Sequence, residues 1–255
     1  MASSCPKITK NTNETKVMIE KILKKPRVAE SWINRLICCL AVIPMIVVAQ
    51  NASADDDDWW KNQHVRTDWV FATLKESDVA PTLERALKDQ ELWVNLPENA
   101  PDTFRCTKLE LAPPSSAALA AFDEAPAVRG PDADKAYAKA ASLGYWRAAA
   151  RLANSSIEDE YWEGAVPIVA WLLVHHVPAG YNKLADILQA RSGYDGETSP
   201  NGTLGMIESL RWRAAREGDP VAQAQMADIF DKLKKPAIAA SLRACATQQN
   251  PDLEH

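Results

Sequence analysis

The side chains able to do chemistry are few, and the histidines come first. His175 and His176 are adjacent, while His64 and His255 stand alone elsewhere in the chain. Neighbouring side chains on a helix point about 100° apart, so this pair is poorly placed to bind one zinc ion. Core or boundary positions near a helix end explain these histidines better. The sequence therefore predicts no metal and no cofactor.

Acidic and glycine-rich patterns also fail to make a catalytic site. Residues 192–205 combine glycines with carboxylates but lack the Lys and Ser or Thr of a P-loop and the alternating ligands of an EF-hand. A flexible connection between repeats is the better interpretation. Residues 55–58 are four aspartates of a kind that is usually solvated, and Glu158 and Glu160 would need a water-excluding cleft to act as acid and base. With no Gly-x-Ser-x-Gly motif, no enzyme is predicted.

The amino-terminal residues have the pattern of an export signal. A basic stretch ending at Arg35 precedes the apolar residues 36–49, and residues 52–54 read Ala-Ser-Ala, the small-x-small pattern that a signal peptidase cleaves. Fourteen apolar residues are short for a membrane span, which needs about 20. We expect residues 1–54 to be a signal peptide, with translation starting at Met1 or Met18, and cleavage after Ala54. The mature chain is then periplasmic without stable membrane insertion, and a retained inner-membrane anchor is the alternative.

Cysteine usage agrees with export. Cys5, Cys38 and Cys39 leave with the signal, so only Cys106 and Cys245 remain. An oxidising compartment permits one disulfide between them, and two idle thiols are the alternative.

Charge and composition narrow the kind of partner. Residues 1–54 are basic, which leaves a net charge of about −10 on residues 55–255. Nucleic-acid binding draws on Lys and Arg contacts to phosphate, so such an acidic body excludes a nucleic acid as the expected partner. The chain also has nine tryptophans, and indole rings are used for packing or for contacts with other proteins.

Residues 55–131 carry mixed signals. Residues 82–92 predict a helix with Leu83, Ala86 and Leu87 on one face. Prolines bracket residues 104–111, which predict a strand or an extended connector. Ser115 or Ser116 is suited to cap the helix that follows. The region is expected to be less regular than the rest of the chain.

Glycines recur in the second half with similar neighbours. Gly144 and Gly218 share the pattern Ala-Ala-x-x-Gly-x-x-x-Ala, and Gly180 keeps its forward half, giving intervals of 36 and 38 residues. A glycine can take the left-handed backbone that ends one helix before the next begins. Stacked hairpins of this kind form a solenoid. We therefore predict a mainly α fold, with a short α-solenoid of helical hairpins over residues 132–246 and a tail at 247–255.

The same pattern resembles the Sel-one-like repeat, a relative of the tetratricopeptide repeat. The resemblance covers residues 132–246 and departs from the family where Gly180 lacks a preceding Ala pair and where residues 192–205 form a long connection. Residues 104–106, 113–114 and 176–181 also resemble an uncharacterised bacterial domain that accompanies such repeats in secreted proteins of Gram-negative bacteria. The resemblance implies an interaction scaffold. Several exported members are immunity proteins against toxins, including phospholipases of the type VI secretion system.

The leading hypothesis is therefore a periplasmic protein-binding repeat protein, specifically an immunity protein that covers a toxin with its concave surface and residues 192–205. An envelope adaptor or assembly factor is the alternative, and an envelope hydrolase with a site in residues 59–130 is the third. Aromatic side chains near the predicted turns are candidate partner-binding residues, although packing between repeats is their commoner use. These residues are Tyr145, Trp146, Trp171, Tyr181 and Trp212.

Overall fold

The computed structural model describes residues 59–88, 102–192 and 203–250. The predicted signal peptide, the aspartates at 55–58, most of the predicted 192–205 connection and the last five residues lie outside this described part. Within it the fold is mainly α, with nine α-helices and no strand. The predicted fold class is confirmed.

Two short 3-10 helices, Trp59–Arg66 and Val70–Ala72, precede the α-helices. The α-helices are α1 (Glu76–Lys88), α2 (Ser116–Asp123), α3 (Pro131–Ser142), α4 (Trp146–Glu158), α5 (Trp162–Val174), α6 (Ala179–Ser192), α7 (Thr203–Arg216), α8 (Pro220–Lys232) and α9 (Pro236–Gln249).

Five of these helices end in the same turn. In each turn one residue has a positive φ, its N–H donates to the carbonyl three residues back, and the next N–H donates to the carbonyl five residues back. This pair of hydrogen bonds satisfies carbonyls that the end of a helix leaves without partners. The left-handed residues are Gly144, Glu160, His176, Gly218 and Lys234.

The spacing of these turns gives the repeat its true length. The left-handed residues follow one another at 144, 160 and 176 and again at 218 and 234, so each helix with its turn occupies 16 residues. Two helices make a hairpin of 32 residues. The interval between the turns at His176 and Gly218 is longer because residues 193–202 are inserted there.

The predicted register of the middle unit is therefore wrong. Gly180 is not a turn residue but the second residue of α6, and the left-handed position belongs to His176. Counted from the turns, Gly180 is equivalent to Ala148 and Ala222, four residues after Gly144 and Gly218. A β-carbon at Gly180 would lie only 3.0 to 3.1 Å from atoms of Leu172 and Leu173, so this position is small because α5 and α6 pack closely.

The helices stack as consecutive hairpins. Each helix from α3 to α9 packs against its neighbours in sequence, and α4 also contacts α6, which in turn contacts α8. Contacts between alternate helices are typical of an α-solenoid. The last helix continues to Gln249, beyond the predicted end of the array at residue 246.

The N-terminal region covers the array rather than standing apart from it. Helix α5 is buried on nearly all sides because α4 and α6 flank it and α1 packs across it. A helix that is apolar all round needs such a cover. The predicted face of α1 is confirmed, since Leu83, Ala86 and Leu87 are all buried.

A buried ion-pair network fastens the first 3-10 helix to the array. Nε of Arg66 donates to Asp134 Oδ2 at 2.6 Å, and its Nη1 donates to Asp159 Oδ2 at 2.7 Å. Arg129 Nη2 donates to the other oxygen of Asp159. Burial raises the pKa of Asp134, and the positive charge of Arg66 opposes that shift.

Residues 102–114, which we call the strap, form neither a helix nor a strand. Cys106 is joined to Cys245 of α9 by a disulfide, the pairing that the sequence left open. The Leu109 N–H donates to Gln249 Oε1 at 2.9 Å. At its end Ser115 caps α2, accepting a hydrogen bond from the Ala118 N–H.

Gly218 lies directly beneath the strap. A β-carbon on this glycine would approach Leu109 N and Thr107 O to 3.0 Å. Further along the strap, Leu111 packs against the larger part of the core. The strap thus runs along the edge of the array on which the Gly218 turn lies.

Candidate functional site

The five candidate aromatic residues divide into two groups. Tyr145, Trp171 and Trp212 are buried, as the packing interpretation expects. Trp146 and Tyr181 are partly buried and remain accessible at the surface. Trp212 packs between Phe104 and Phe230, and a partner-binding role for any of the five stays a prediction.

Two of these tryptophans line an apolar cleft of about 400 Å³, which we call the tryptophan cleft. It forms where the N-terminal region, the strap and the turns after α3 and α5 come together. Its volume is within the range of small ligand pockets and suits one or two large side chains. The lining residues are Trp69, Ala72, Thr73, Leu111, Ala112, Ala141, Ser142, Gly144, Trp146, Trp171, His175 and Val177.

The indole rings in the cleft are held in fixed positions. Trp69 and Trp171 pack edge to face with their centroids 5.0 Å apart. Trp171 Nε1 donates to Thr73 Oγ1 at 3.0 Å, and Trp69 Nε1 donates to the Arg66 carbonyl at 2.7 Å. The His175 ring stacks on Trp171 with a centroid separation of 4.1 Å. Because both N–H groups are satisfied, these side chains offer mainly apolar ring surface.

Three exposed apolar side chains belong to residues that neighbour the lining of the cleft in the sequence. Phe71, Leu143 and Val174 are 45%, 46% and 42% exposed, and each is next in sequence to a lining residue. We call these three residues the rim. In the described part of the chain, the other large apolar side chains this exposed are Leu119 and Val128. An apolar cleft with an apolar rim is the kind of surface that marks a binding site.

The polar groups of the cleft are engaged within the protein. Thr73 accepts from Trp171, and the Ser142 hydroxyl donates to the Lys139 carbonyl at 2.7 Å. His175 Nδ1 lies 2.9 Å from the Trp171 carbonyl oxygen. The Thr73 and Ser142 hydroxyls and the Nδ1 atom of His175 thus each have a partner within the protein.

Carboxylates with raised pKa values lie elsewhere, and one of them caps a helix. Burial raises the pKa of Asp219 to about 6, and the hydrogen bond from Ala222 and the charge of Lys183 oppose that shift. Asp219 Oδ2 accepts from the Ala222 N–H at 3.0 Å and so caps α8. Burial also raises the pKa of Glu208, opposed by Arg211.

The described residues contain neither a cluster suited to a metal ion nor a helix suited to span a membrane. No group of three or more His, Cys, Asp or Glu side chains in residues 59–88, 102–192 and 203–250 is placed to hold a metal ion. No helix in those ranges combines the length and hydropathy that crossing a bilayer requires. The disulfide is consistent with a location outside the cytoplasm.

Comparison of the chain with protein-family models, with curated proteins and with solved structures finds no match. The resemblance to the Sel-one-like repeat therefore depends on the sequence pattern. The fold itself, consecutive packed helices in a hairpin stack, agrees with a repeat protein.

Sequence reasoning missed most of the cleft. Trp69 and Phe71 belong to a region whose signals were mixed, and Leu143 and Val174 read as ordinary helical residues. Whether these side chains are buried or exposed depends on where the strap and the 3-10 helices pack, which short-range periodicity does not report. The one available signal was the position of Leu143 and Val174, each just before a turn.

Proposed function

We propose that this chain is an exported Sel-one-like repeat protein of the Gram-negative periplasm that works by binding another protein. The partner we propose is a secreted antibacterial toxin, such as a type VI secretion phospholipase, which the chain neutralises by covering it. No catalytic residue of its own takes part in this function.

The observation that carries the proposal is the tryptophan cleft with its exposed rim. Aromatic side chains dominate the binding energy of protein interfaces when they lie in rigid pockets surrounded by apolar contacts. Here Trp69 and Trp171 are fixed by hydrogen bonds, and Trp146 is half-exposed at the same cleft. Leaving the rim in water is unfavourable, and a bound partner removes that cost.

Charge and cysteine chemistry support the location and the kind of partner. A net charge of about −10 on residues 55–255 accelerates encounter with a basic protein, in a way that salt weakens. The Cys106–Cys245 bond is of the kind that persists in oxidising compartments such as the periplasm.

An envelope adaptor or assembly factor is the second candidate, because the same surface would serve a partner that is not a toxin. The two are separated by a competition assay between cells. A strain lacking this protein should be killed by its toxin-delivering parent and rescued by the protein supplied in the periplasm. Survival of the deletion strain, with a defect in envelope assembly instead, would favour the adaptor.

Protein capture from the source cell tests the role of the cleft. Serine is placed at the rim positions Leu143 and Val174, and the matched control carries serine at Leu119 and Val128, which are the same two residue types at other exposed positions. Each rim side chain has apolar area to bury, so the rim variant should retain at least about tenfold less partner than the control. Equal retention by the two variants would remove the cleft from the binding surface.

A further inference from the structure

A second cleft of about 480 Å³ adjoins the tryptophan cleft. The two share Leu111, Ala112 and Trp146 as a common wall. The second cleft lies between the strap, the start of α4 and the end of α9. The other residues that line it are Lys108, Leu109, Pro113, Pro114, Tyr145, Arg147, Pro220, Gln248 and Gln249.

The charge of this second cleft is opposite to that of the protein as a whole. Lys108 and Arg147 are both exposed and both line it, whereas none of the described residues that line either cleft is Asp or Glu. Within residues 59–88, 102–192 and 203–250, neither cation forms an ion pair, in contrast to Arg129 and Arg243, which each pair with two carboxylates. In this part of a chain whose residues 55–255 carry a charge of about −10, a cleft lined by two cations thus lies beside an apolar one.

Contacts within the protein restrain the segments that carry Arg147 and Lys108. The Arg147 guanidinium lies over the Trp146 ring, 5.5 Å from its centroid, a contact that restrains it at the boundary between the clefts. Lys108 projects from the strap, whose position is set by the Cys106–Cys245 disulfide and by the hydrogen bond from Leu109 to Gln249. Lys108 and Arg147 thus both line the second cleft, which adjoins the apolar one.

We propose that the two clefts together bind one extended segment of the partner protein, in which an apolar or aromatic side chain lies within about three residues of a carboxylate. The apolar side chain enters the tryptophan cleft, and the carboxylate lies between Lys108 and Arg147. About three extended residues span 10 Å, the scale of two adjoining clefts. This inference rests on the proposed function and specifies the chemistry that the partner presents.

A lipid or fatty acid has the same combination of apolar chain and anion. Neither cleft is an enclosed cavity, whereas an acyl chain is best buried in an enclosed apolar channel. A compact side chain needs no such enclosure, so the peptide is the favoured ligand.

The test uses the oxidised full-length protein and three acetylated, amidated tripeptides: Phe-Ser-Glu, Phe-Ser-Gln and Ala-Ser-Glu. Binding is followed by the NMR shifts of the tryptophan indole N–H signals. The Phe-Ser-Glu peptide should bind about tenfold more tightly than Phe-Ser-Gln, because a charge-assisted contact is lost with the amide. It should also bind more tightly than Ala-Ser-Glu, because the apolar anchor is lost.

Two double variants test whether Lys108 and Arg147 cause the preference for Glu over Gln. Lys108→Gln with Arg147→Gln should abolish the preference for Glu over Gln. Arg151→Gln with Lys232→Gln, which removes the same total charge at exposed positions outside both clefts, should keep it. The proposal is overturned if the preference survives in the first variant, if no peptide binds at millimolar concentration, or if sodium decanoate displaces Phe-Ser-Glu and binds more tightly than it does.

The same variants separate this inference from the proposed function. If the Lys108 and Arg147 variant captures the partner as well as the unchanged protein does, the carboxylate contact is wrong and protein binding stands. If the unchanged protein captures no partner, the proposed function itself fails.

Discussion

The strap is the element on which both clefts depend, and a matched pair of glycine substitutions tests where it lies. Gly144 and Gly218 occupy the same turn in two hairpins, with φ values of 88° and 100°. Alanine at either position has to adopt a left-handed backbone. The surroundings differ, because nothing lies within 4 Å of a β-carbon at Gly144, whereas at Gly218 the strap backbone lies 3.0 Å away.

The expected magnitudes follow from that difference. Gly144→Ala should lower the free energy of unfolding by about 1 kcal/mol, the usual cost of a left-handed alanine. Gly218→Ala has the same backbone cost and also pushes against Leu109 and Thr107. Overpacking of this kind adds about 1 to 3 kcal/mol, and losing the hydrogen bond from Leu109 to Gln249 would account for about 1 kcal/mol of it.

Urea unfolding followed by tryptophan fluorescence measures both variants. The two substitutions are then repeated in a protein carrying Cys106→Ser and Cys245→Ala. Without the disulfide the strap is free to move away from Gly218, so the extra cost of Gly218→Ala should shrink while that of Gly144→Ala stays unchanged. Equal destabilisation by the two substitutions in the oxidised protein would refute the placement of the strap.

Three further predictions concern stability. Arg66→Ala leaves the buried Asp134 without its cation and the part-buried Asp159 with Arg129 alone, and should lower the free energy of unfolding by about 3 to 5 kcal/mol; a loss below about 1 kcal/mol in urea would contradict the buried ion pair of Arg66 and Asp134. Replacing Cys106 and Cys245 opens a link between residues 139 apart and should cost up to about 5 kcal/mol, whereas two reactive thiols in denatured, unreduced protein would show that no bond exists. Burial raises the pKa of Asp219 from 3.8 to about 6, so the folded protein holds this proton more tightly than the unfolded chain does. The contribution of Asp219 to the free energy of unfolding is therefore complete below about pH 4 and is lost as the pH rises through 6. Asp219→Asn keeps a side chain that caps the helix but cannot titrate, so the free energy of unfolding should fall by roughly 3 kcal/mol less as the pH rises through 6 than it does in the unchanged protein. An unchanged dependence of the free energy of unfolding on pH would argue against the raised pKa.

Some turns and helix caps could be predicted from the sequence, because they depend on residues that are close together in the chain. The left-handed turns at Gly144 and Gly218 and the cap at Ser115 each follow from one residue type at one position. The register of the middle hairpin could not be predicted in this way. His176 and Gly180 exchange the roles that glycine and alanine have in the other hairpins, so a search for recurring glycines aligns the wrong residues.

The candidate site was harder to predict for a different reason. Its walls come from the 3-10 helices, the strap and two separate turns, which meet only through long-range packing. Trp69 is brought to Trp171, 102 positions away, and edge-to-face packing between them leaves no periodic trace in the sequence. The two remaining cysteines allowed one possible link between the strap and α9, but the sequence did not say which face of the array the strap would follow.

The most direct test of the central claim is site-specific photo-cross-linking in the living cell. A photo-reactive benzoylphenylalanine replaces Leu143 at the rim in one strain and Val128, exposed away from the cleft, in another. One cross-linked protein partner is expected from position 143 and none from position 128. Cross-linking from position 128 alone, or from neither position while the partner is still captured, would contradict the claim that the tryptophan cleft is the binding surface.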